Sequence, residues 1–483
     1  MFKPKTKQCQ NCNIKFTIEP EDFEFYKKID VPEPTFCPEC RMKRRMNFRN
    51  ESNLYKRKCD FSGKEIIAIY PSDASCKVYD QKIWNSDKWN PMEYGKDYDF
   101  DKPFFEQYRE LIKVIPWPSK FFDVGSVDCD YCVGVLFCKN CYLCLASTCE
   151  DCLYLTGLGC NNCADSFLLS KSENCYENID ASNNYNIYFS QYADNCFDSS
   201  FLYNCRNCQS CFGCVNLRNK KYHIFNKPYS KEEYQKEIKK YYIDSYTNLE
   251  KIKKQFNQFR LKFPHRFANI YHSENIIGHN IKSSKNCYYC FDSLSGGKNT
   301  KATDGIEDCK YIFYGGHNLK DSYDVFDGGT NASFIYESVT AGLNTKNIYF
   351  SVNVASDTYN VQYSNNCHSC SDLFGCIGLR HKQYCVLNKQ YTKESFNKLR
   401  TKIIKHMNDM SYTDKKGRIY KYGEFFPPEL SPFGYNETIA NEYFPLTKEQ
   451  AIKQGYNWYD KPKSQYQPTI KANNLPDNIK DVD

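Results

Sequence analysis

One block occurs twice in this chain, and that duplication limits what the chain can fold into more than any other feature. From Cys205 to Tyr234 the sequence reads CRNCQSCFGCVNLRNKKYHIFNKPYSKEEY; from Cys367 to Phe396 it reads CHSCSDLFGCIGLRHKQYCVLNKQYTKESF. Cys205/Cys367, Cys208/Cys370, Cys214/Cys376, Leu217/Leu379, Arg218/Arg380, Lys220/Lys382, Tyr222/Tyr384, Asn226/Asn388, Lys227/Lys389, Lys231/Lys393 and Glu232/Glu394 match at one constant offset, without a gap. Each copy follows a stretch of short repeats and precedes a helical pattern, so each is expected to cap a repeat array.

The repeats lie upstream of each cap. CxxC pairs recur as Cys129/Cys132, Cys138/Cys141, Cys149/Cys152 and Cys160/Cys163, in steps of 9, 11 and 11 residues. Strand-like pieces such as VGVLF, LYLTGL and SFLLS lie between and beside them, and the beat continues with fewer cysteines into the first cap. A second array runs from NCYYCFDS through DCKYIFYGG, DSYDVFDGG, ASFIYES, NIYFSVN and YNVQYS to the second cap. Short β-rich pieces at a near-constant beat, each opened by a turn, predict a parallel β-solenoid. Asn precedes Cys at Asn162, Asn174, Asn195, Asn204, Asn286 and Asn366. Asn accepts a left-handed corner, and its amides can stack from rung to rung.

The chain has 28 cysteines in 483 residues. No run approaches the roughly 18 apolar residues of a membrane span. The N-terminal MFKPKTKQCQNC has no apolar leader core, so a cytoplasmic protein with reduced thiols and no membrane partner is expected. Its cysteines are then metal ligands or reduced core. The arrays carry their own discriminator, because Ser166, Ser199 and Ser322 occupy Cys slots of the repeat. A metal site does not accept Ser for Cys, whereas a tight interior accepts either small residue. Stacked core cysteines are therefore expected, with Zn or an iron–sulfur cluster as the alternative for the dense patch from Cys129 to Cys163.

The N-terminus reads differently. Cys9-x2-Cys12 and Cys37-x2-Cys40 are two CxxC turns separated by 24 residues in a polar segment. Two such turns complete a tetrahedral all-thiolate site, so one structural Zn2+ on Cys9, Cys12, Cys37 and Cys40 is expected. Asn13 stands where such knuckles often carry Gly, and it tolerates positive φ. Pro20-Glu21-Asp22 opens a short helix, and Pro32 and Pro34 impose an extended return.

The order CxxC, an F-x-x-x-P-E-D helix, then P-x-P-x-x-C-P-x-C-R-x-x-R-R over residues 7–58 resembles the bacterial "probable zinc-ribbon" family. That resemblance implies the metal role for the same four cysteines. The wider chain, including the caps and SPFGYNET, resembles a larger group of bacterial zinc-ribbon proteins, and it implies no activity.

The net charge of +7 is concentrated in one segment. Between Arg41 and Lys58 stand eight basic residues (Arg41, Lys43, Arg44, Arg45, Arg49, Lys56, Arg57 and Lys58) against Glu51. RMKRRMNFRNESNLYKRK can form a helix beside the metal. Arg41, Lys43, Arg44, Arg45 and Arg49 would then reach phosphates of RNA or single-stranded DNA, with Phe48 and Tyr55 stacking on bases. The alternatives are a solvated face that offsets the anionic zinc–thiolate centre, or an acidic protein partner.

The expected organisation has six parts. Residues 1–58 form the ribbon with its basic tail, and 59–118 a degenerate ribbon-like module with a docking helix over FFEQYRELIKVI. The first array and cap span 119–229, a helical insertion 230–277, and the second array and cap 278–391. A C-terminal helix, a hairpin-like segment and a mobile tail span 392–483. The fold class is mainly β: an N-terminal zinc ribbon followed by Cys-rich parallel β-solenoid arrays with helical caps and insertions. No nucleophile elbow, phosphate loop, HExxH or dinucleotide fingerprint occurs. The expected function is a non-enzymatic zinc-binding scaffold that engages a macromolecule. The alternative is a β-solenoid hydrolase acting on carbohydrate, an analogy of fold alone.

Overall fold

A computed structural model describes residues 2–291, 306–308, 310, 317–325, 329–339, 343–352, 356–462, 469–471 and 474–482. Asp292 and Ser293 of NCYYCFDS, and all of DCKYIFYGG except Asp308 and Lys310, fall outside them. The chain forms two units, one of residues 120–266 and 460–483, the other of residues 1–119 and 267–459. The first array thus belongs to one unit, whereas the ribbon, the 59–118 module and the second array share the other.

In the first-array unit the strands stack in parallel, one rung on the next. Tyr185 pairs with Phe197, Phe197 with Gln209, and Gln209 with Lys221, so these rungs are twelve residues long. Within a rung the period is three. From Cys160 through Ser166, Leu169, Cys175, Ala181, Ile187, Cys196 and Ser199 to Cys214, every third residue is buried. The residue before each inward one adopts positive φ: Asn162 at 49°, Asp165 at 48°, Leu168 at 54°, Lys171 at 47° and Asn174 at 53°. The CxxC spacing is therefore the length of one side of the rung, and four such sides close it. This corrects the expectation of one turn per repeat. Corners fall at every third residue, and Leu168, Phe189 and Tyr192 take them as well as Asn. A left-handed residue other than Gly costs roughly 1–2 kcal/mol. The cost is offset at each corner by a bond to the rung before, such as Asn174 N–H to the Asn161 carbonyl at 3.1 Å. Asn is favoured where its amide also stacks, as in Asn195 to Asn207 at 2.7 Å and Asn207 to Asn219 at 2.9 Å.

The interior shows why Cys and Ser exchange. Cys163 Sγ donates to the Asn161 carbonyl at 3.2 Å, and Ser166 Oγ donates to the Ala164 carbonyl at 2.9 Å, the same bond two residues back. Both side chains also accept from the next rung: Cys160 N–H reaches Cys149 Sγ at 3.3 Å, and Asn178 N–H reaches Ser166 Oγ at 3.1 Å. The 26 cysteines whose side chains the structure describes are free of disulfides. Those of the arrays are expected to resist a thiol reagent in the folded chain and to react fully in denaturant. Stoichiometric labelling without denaturant would contradict the buried stack.

The last rung of each array is sealed by the same residue of the duplicated block. Asn226 accepts the Val215 N–H at 2.9 Å and donates to the Val215 carbonyl at 3.0 Å. Asn388 does the same to Ile377, at 2.8 Å in both directions. One side-chain amide stands in for the peptide of an absent next rung. A short antiparallel return follows, Lys227–Pro228 in one cap and Lys389–Gln390 in the other.

After the first cap, Ser230 and Glu233 form a capping box for the helix Lys231–Glu237. The helix Tyr246–Arg260 then folds back, with Phe256 against Phe201 at 5.7 Å. The tail expected to be mobile from Lys461 is anchored at Asp477, which accepts from Ser245 Oγ at 2.6 Å and Thr247 N–H at 2.7 Å. The Thr247 bond occupies one of the free N–H groups of that helix start.

In the second-array unit the chain opens with β1 (Lys5–Gln8) and β2 (Lys15–Ile18), an antiparallel hairpin. Helices α1 (Pro20–Lys28) and α2 (Pro38–Met46) follow. A second hairpin of the same length comes next, β3 (Tyr55–Lys58) and β4 (Glu65–Ala68). The helix expected over residues 41–58 therefore stops at Met46. Asn47 and Asn50 are buried there and donate to the Pro428 and Ile69 carbonyls, at 3.1 and 2.9 Å. Further on lie the single-turn α3 (Gln81–Trp84) and α4 (Phe104–Val114). Phe104 of α4 packs on Tyr363 and Phe374 of the second array, at 5.1 and 5.3 Å. That array keeps the parallel register, with rungs of thirteen residues at Thr330–Leu343 and twelve at Tyr359–Ser371–Gln383. Its interior is more aliphatic, with Leu319, Val325, Ile335, Ile348 and Val361.

His368 lies in this array with Nδ1 2.8 Å from Ser356 Oγ. Burial, with Arg380 adding to it, pushes its imidazole down to about 4 from an ordinary 6.5. The folded state thus binds this proton less tightly than the unfolded one. The contribution is intact above pH 6.5 and is lost as pH falls toward 4, by up to about 3 kcal/mol. His368→Gln is expected to flatten that part of the pH–stability curve in denaturant titrations. An unchanged curve would show that His368 does not carry it.

Candidate metal centre

Cys9 ends the β1 side of the first hairpin, where its N–H bonds the Ile14 carbonyl at 3.0 Å and its carbonyl accepts from Asn13 at 3.0 Å. Asn13 takes φ 61°, the left-handed position that brings Cys12 back beside Cys9. Cys37 is the N-cap residue of α2 and Cys40 lies in its first turn. The four Sγ atoms lie within 4.8 Å of one another, and they are the only such group of three or more ligands among the described residues. A tetrahedral site with metal–sulfur bonds of 2.3 Å places its sulfurs about 3.8 Å apart; Cys12 and Cys37 are 3.7 Å apart. The four thiols cannot ionise together unaided. Bonds from Cys37 and Cys40 hold the Cys9 thiol far below the usual range, while bonding to Cys37 and Cys9 holds Cys40 far above it. A divalent cation relieves that competition. Asn11 Nδ2 donates to Cys40 Sγ at 3.2 Å, and Arg418 holds Asn11 Oδ1 at 2.7 Å. The site can hold a metal ion and has its orienting partners in place.

The second hairpin reproduces the first without the ligands. Cys59 N–H bonds the Lys64 carbonyl at 2.8 Å, its carbonyl accepts from Gly63 at 2.9 Å, and Gly63 takes φ 69°. Ser62 stands where Cys12 stands in the first hairpin. Asp80 N-caps α3 as Cys37 caps α2, and its N–H meets Cys59 Sγ at 3.2 Å. Tyr79 and Trp84 fill the place with a small apolar cluster. One turn geometry thus supports a ligand set in one hairpin and a hydrophobic core in the other.

The basic segment lies elsewhere than on a phosphate-binding surface. Arg41, Arg44, Arg45, Phe48 and Arg49 are all buried, at 1–3% exposure. Arg41 Nη1 meets Asp324 Oδ2 at 3.0 Å, and Arg44 Nη2 meets Glu337 Oε2 at 3.2 Å and Glu424 Oε2 at 3.3 Å. Arg45 lies 3.5 Å from Asp324 and 3.8 Å from Glu337, while Arg49 Nε holds Glu51 at 2.6 Å. Phe48 packs on Phe425 and Phe426, and Tyr55 donates to Glu437 at 2.6 Å. Lys43 is nearly covered too, with its ammonium 5.0 Å from the Phe444 ring. The correction has a simple cause: the cations face the second array and the segment after the second cap, where three carboxylates match the three arginines of α2. Asp324 is one of these fully buried partners. The sequence offers no signal for Glu424, nor for Glu337, which lies off the inward beat set by Ala332 and Ile335 in ASFIYES.

No family model, curated protein or solved structure matches the chain. Among the described residues no helix is long and apolar enough to cross a membrane.

Proposed function

We propose that the protein is a non-enzymatic, cytoplasmic scaffold in which one zinc ion is structural, and that its solenoid surface receives a macromolecular partner. The proposal follows the class that the N-terminal motif resembles. One observation carries it: the thiol cluster sits at the start of α2, and α2 delivers three arginines to buried carboxylates of the second array. A metal at that point organises packing. Four thiolates in a closed tetrahedral set are the usual structural-zinc arrangement, whereas catalytic zinc keeps an open position.

Binding of nucleic acid through residues 41–58 is the weaker reading, because in that segment only Lys56 and Lys58 are exposed cations. With two contacts, the affinity for a single-stranded oligonucleotide is expected to fall with salt at a log–log slope no steeper than about −1.4. A salt titration with a fluorescent oligonucleotide reads this directly, and a slope near −3.5 would restore the five-contact reading. The scaffold itself is tested by tagged purification at low salt. Stoichiometric retention of a protein partner supports it, and turnover of a polysaccharide panel would replace it.

A further inference from the structure

The two caps share their residues but differ in what covers them. In the second cap, the stretch from Trp84 to Asp97 lies along the duplicated block. Lys96 N–H bonds the Leu387 carbonyl at 3.1 Å, and Asn388 Nδ2 donates to the Pro91 carbonyl at 3.0 Å. Lys389 Nζ holds Asp97 at 2.6 Å, and the Tyr391 hydroxyl reaches the same carboxylate at 3.2 Å. Gly95 lies so close to the Asn388 backbone that a Cβ there would sit 2.5 Å from its carbonyl oxygen. The chain therefore docks a Gly-Lys-Asp segment on its own second cap, by backbone bonds, a required glycine and an acid read by Lys and Tyr.

The first cap retains the reading groups. Asn226, Lys227 and Tyr229 stand where Asn388, Lys389 and Tyr391 stand, and Tyr229 N–H bonds Tyr222 at 2.9 Å as Tyr391 N–H bonds Tyr384. Here, however, Lys227 and Tyr229 line a cleft of about 330 Å³, together with Tyr241, Gln255, Phe259 and Lys262. No carboxylate lines it, and Lys227 is exposed. Among the described residues no acid pairs with Lys227. The tryptophan end of the dock is not duplicated: Gly378, against which Trp84 and Trp89 pack, is replaced by Asn216, which donates to the Pro264 carbonyl at 3.0 Å.

We infer that the first cap is a peptide-docking site for an extended acidic segment of a partner protein, of the form Gly-x-Asp. This deepens the scaffold reading by giving the partner's chemistry and its place. The backbone of such a segment bonds the turn between the last strand and its antiparallel return, as Lys96 does at Leu387, and the acid fixes its register. Lys262 and the two Tyr rings suit a second acid and an apolar neighbour.

The probe is a fluorescein-labelled peptide of residues 90–101, NPMEYGKDYDFD, titrated into the full chain and followed by anisotropy. Saturable binding is expected, weakened at least about fivefold by Lys227→Glu. The same loss is expected when the peptide carries Val at its Gly95 position. Lys227 is exposed, so the variant should fold, and unchanged burial of the array thiols verifies this. Three results would overturn the inference: no binding at millimolar peptide, binding indifferent to Lys227→Glu, or Lys227-dependent binding of a single-stranded oligonucleotide but not of the peptide. Should the peptide fail while a protein partner still co-purifies, the scaffold reading stands and this site does not.

Discussion

The Cys9→Ser, Cys12→Ser double variant is expected to lose one zinc ion per chain and, with it, the stability of the second-array unit. Structural zinc contributes on the order of 10 kcal/mol of apparent free energy in small domains. The loss should not stay local. Cys37 and Cys40 sit at the start of α2, so freeing them loosens the helix that carries Arg41, Arg44 and Arg45. All four tryptophans, Trp84, Trp89, Trp117 and Trp458, belong to this unit. Tryptophan fluorescence in a denaturant titration therefore reports on it alone, while elemental analysis counts the metal. Unchanged zinc content, or an unchanged fluorescence transition after metal loss, would remove the ion from the structural account.

Arg44→Ala is expected to cost about 3–5 kcal/mol in the same titration, the usual penalty for removing one partner of a buried pair. Arg44 is the one side chain shared by Glu337 and Glu424, and burial already pushes the Glu337 carboxyl up despite the arginines around it. Left without Arg44, Glu424 falls back on its hydrogen bond from Thr35 N–H at 2.9 Å and Glu337 on Arg45 at 3.8 Å. A triple variant, Arg44→Leu with Glu337→Leu and Glu424→Leu, should recover most of the loss, because apolar replacement of a whole buried charge cluster is often neutral. If the single variant costs under about 1 kcal/mol, the cluster is solvated in solution and the pairing is of surface strength.

Sequence reasoning reached the ribbon ligands and the solenoid class because both are written in local spacing. Two CxxC turns bring four thiols together whatever the rest of the chain does, and a repeat shows its own tolerance through Ser166 and Ser199. It did not reach the destination of the basic segment. The partners of Arg41, Arg44 and Arg45 are carboxylates some three hundred positions away, and charge composition carries no record of pairing at that distance. Nor was the three-residue side legible as such. The same CxxC spelling serves a metal turn at Cys9 and a solenoid side at Cys160, and only the backbone distinguishes them. At Cys9 a hairpin and the start of α2 together place four sulfurs side by side; at Cys160 each left-handed corner sends the next thiol to a separate wall.

The amide seals of Asn226 and Asn388 bear on how large an object this protein can become. A stack of identical rungs has no intrinsic reason to stop, and an open end is a template for another chain. A side chain that answers the last peptide's donor and acceptor, followed by a strand running backwards, converts a growing lattice into a finite one. Replacing Asn226 would then leave its rung well formed and the last peptide's donor and acceptor unanswered at the end of the first array. The trait at risk would be solubility at high concentration, with end-to-end fibres as the visible outcome.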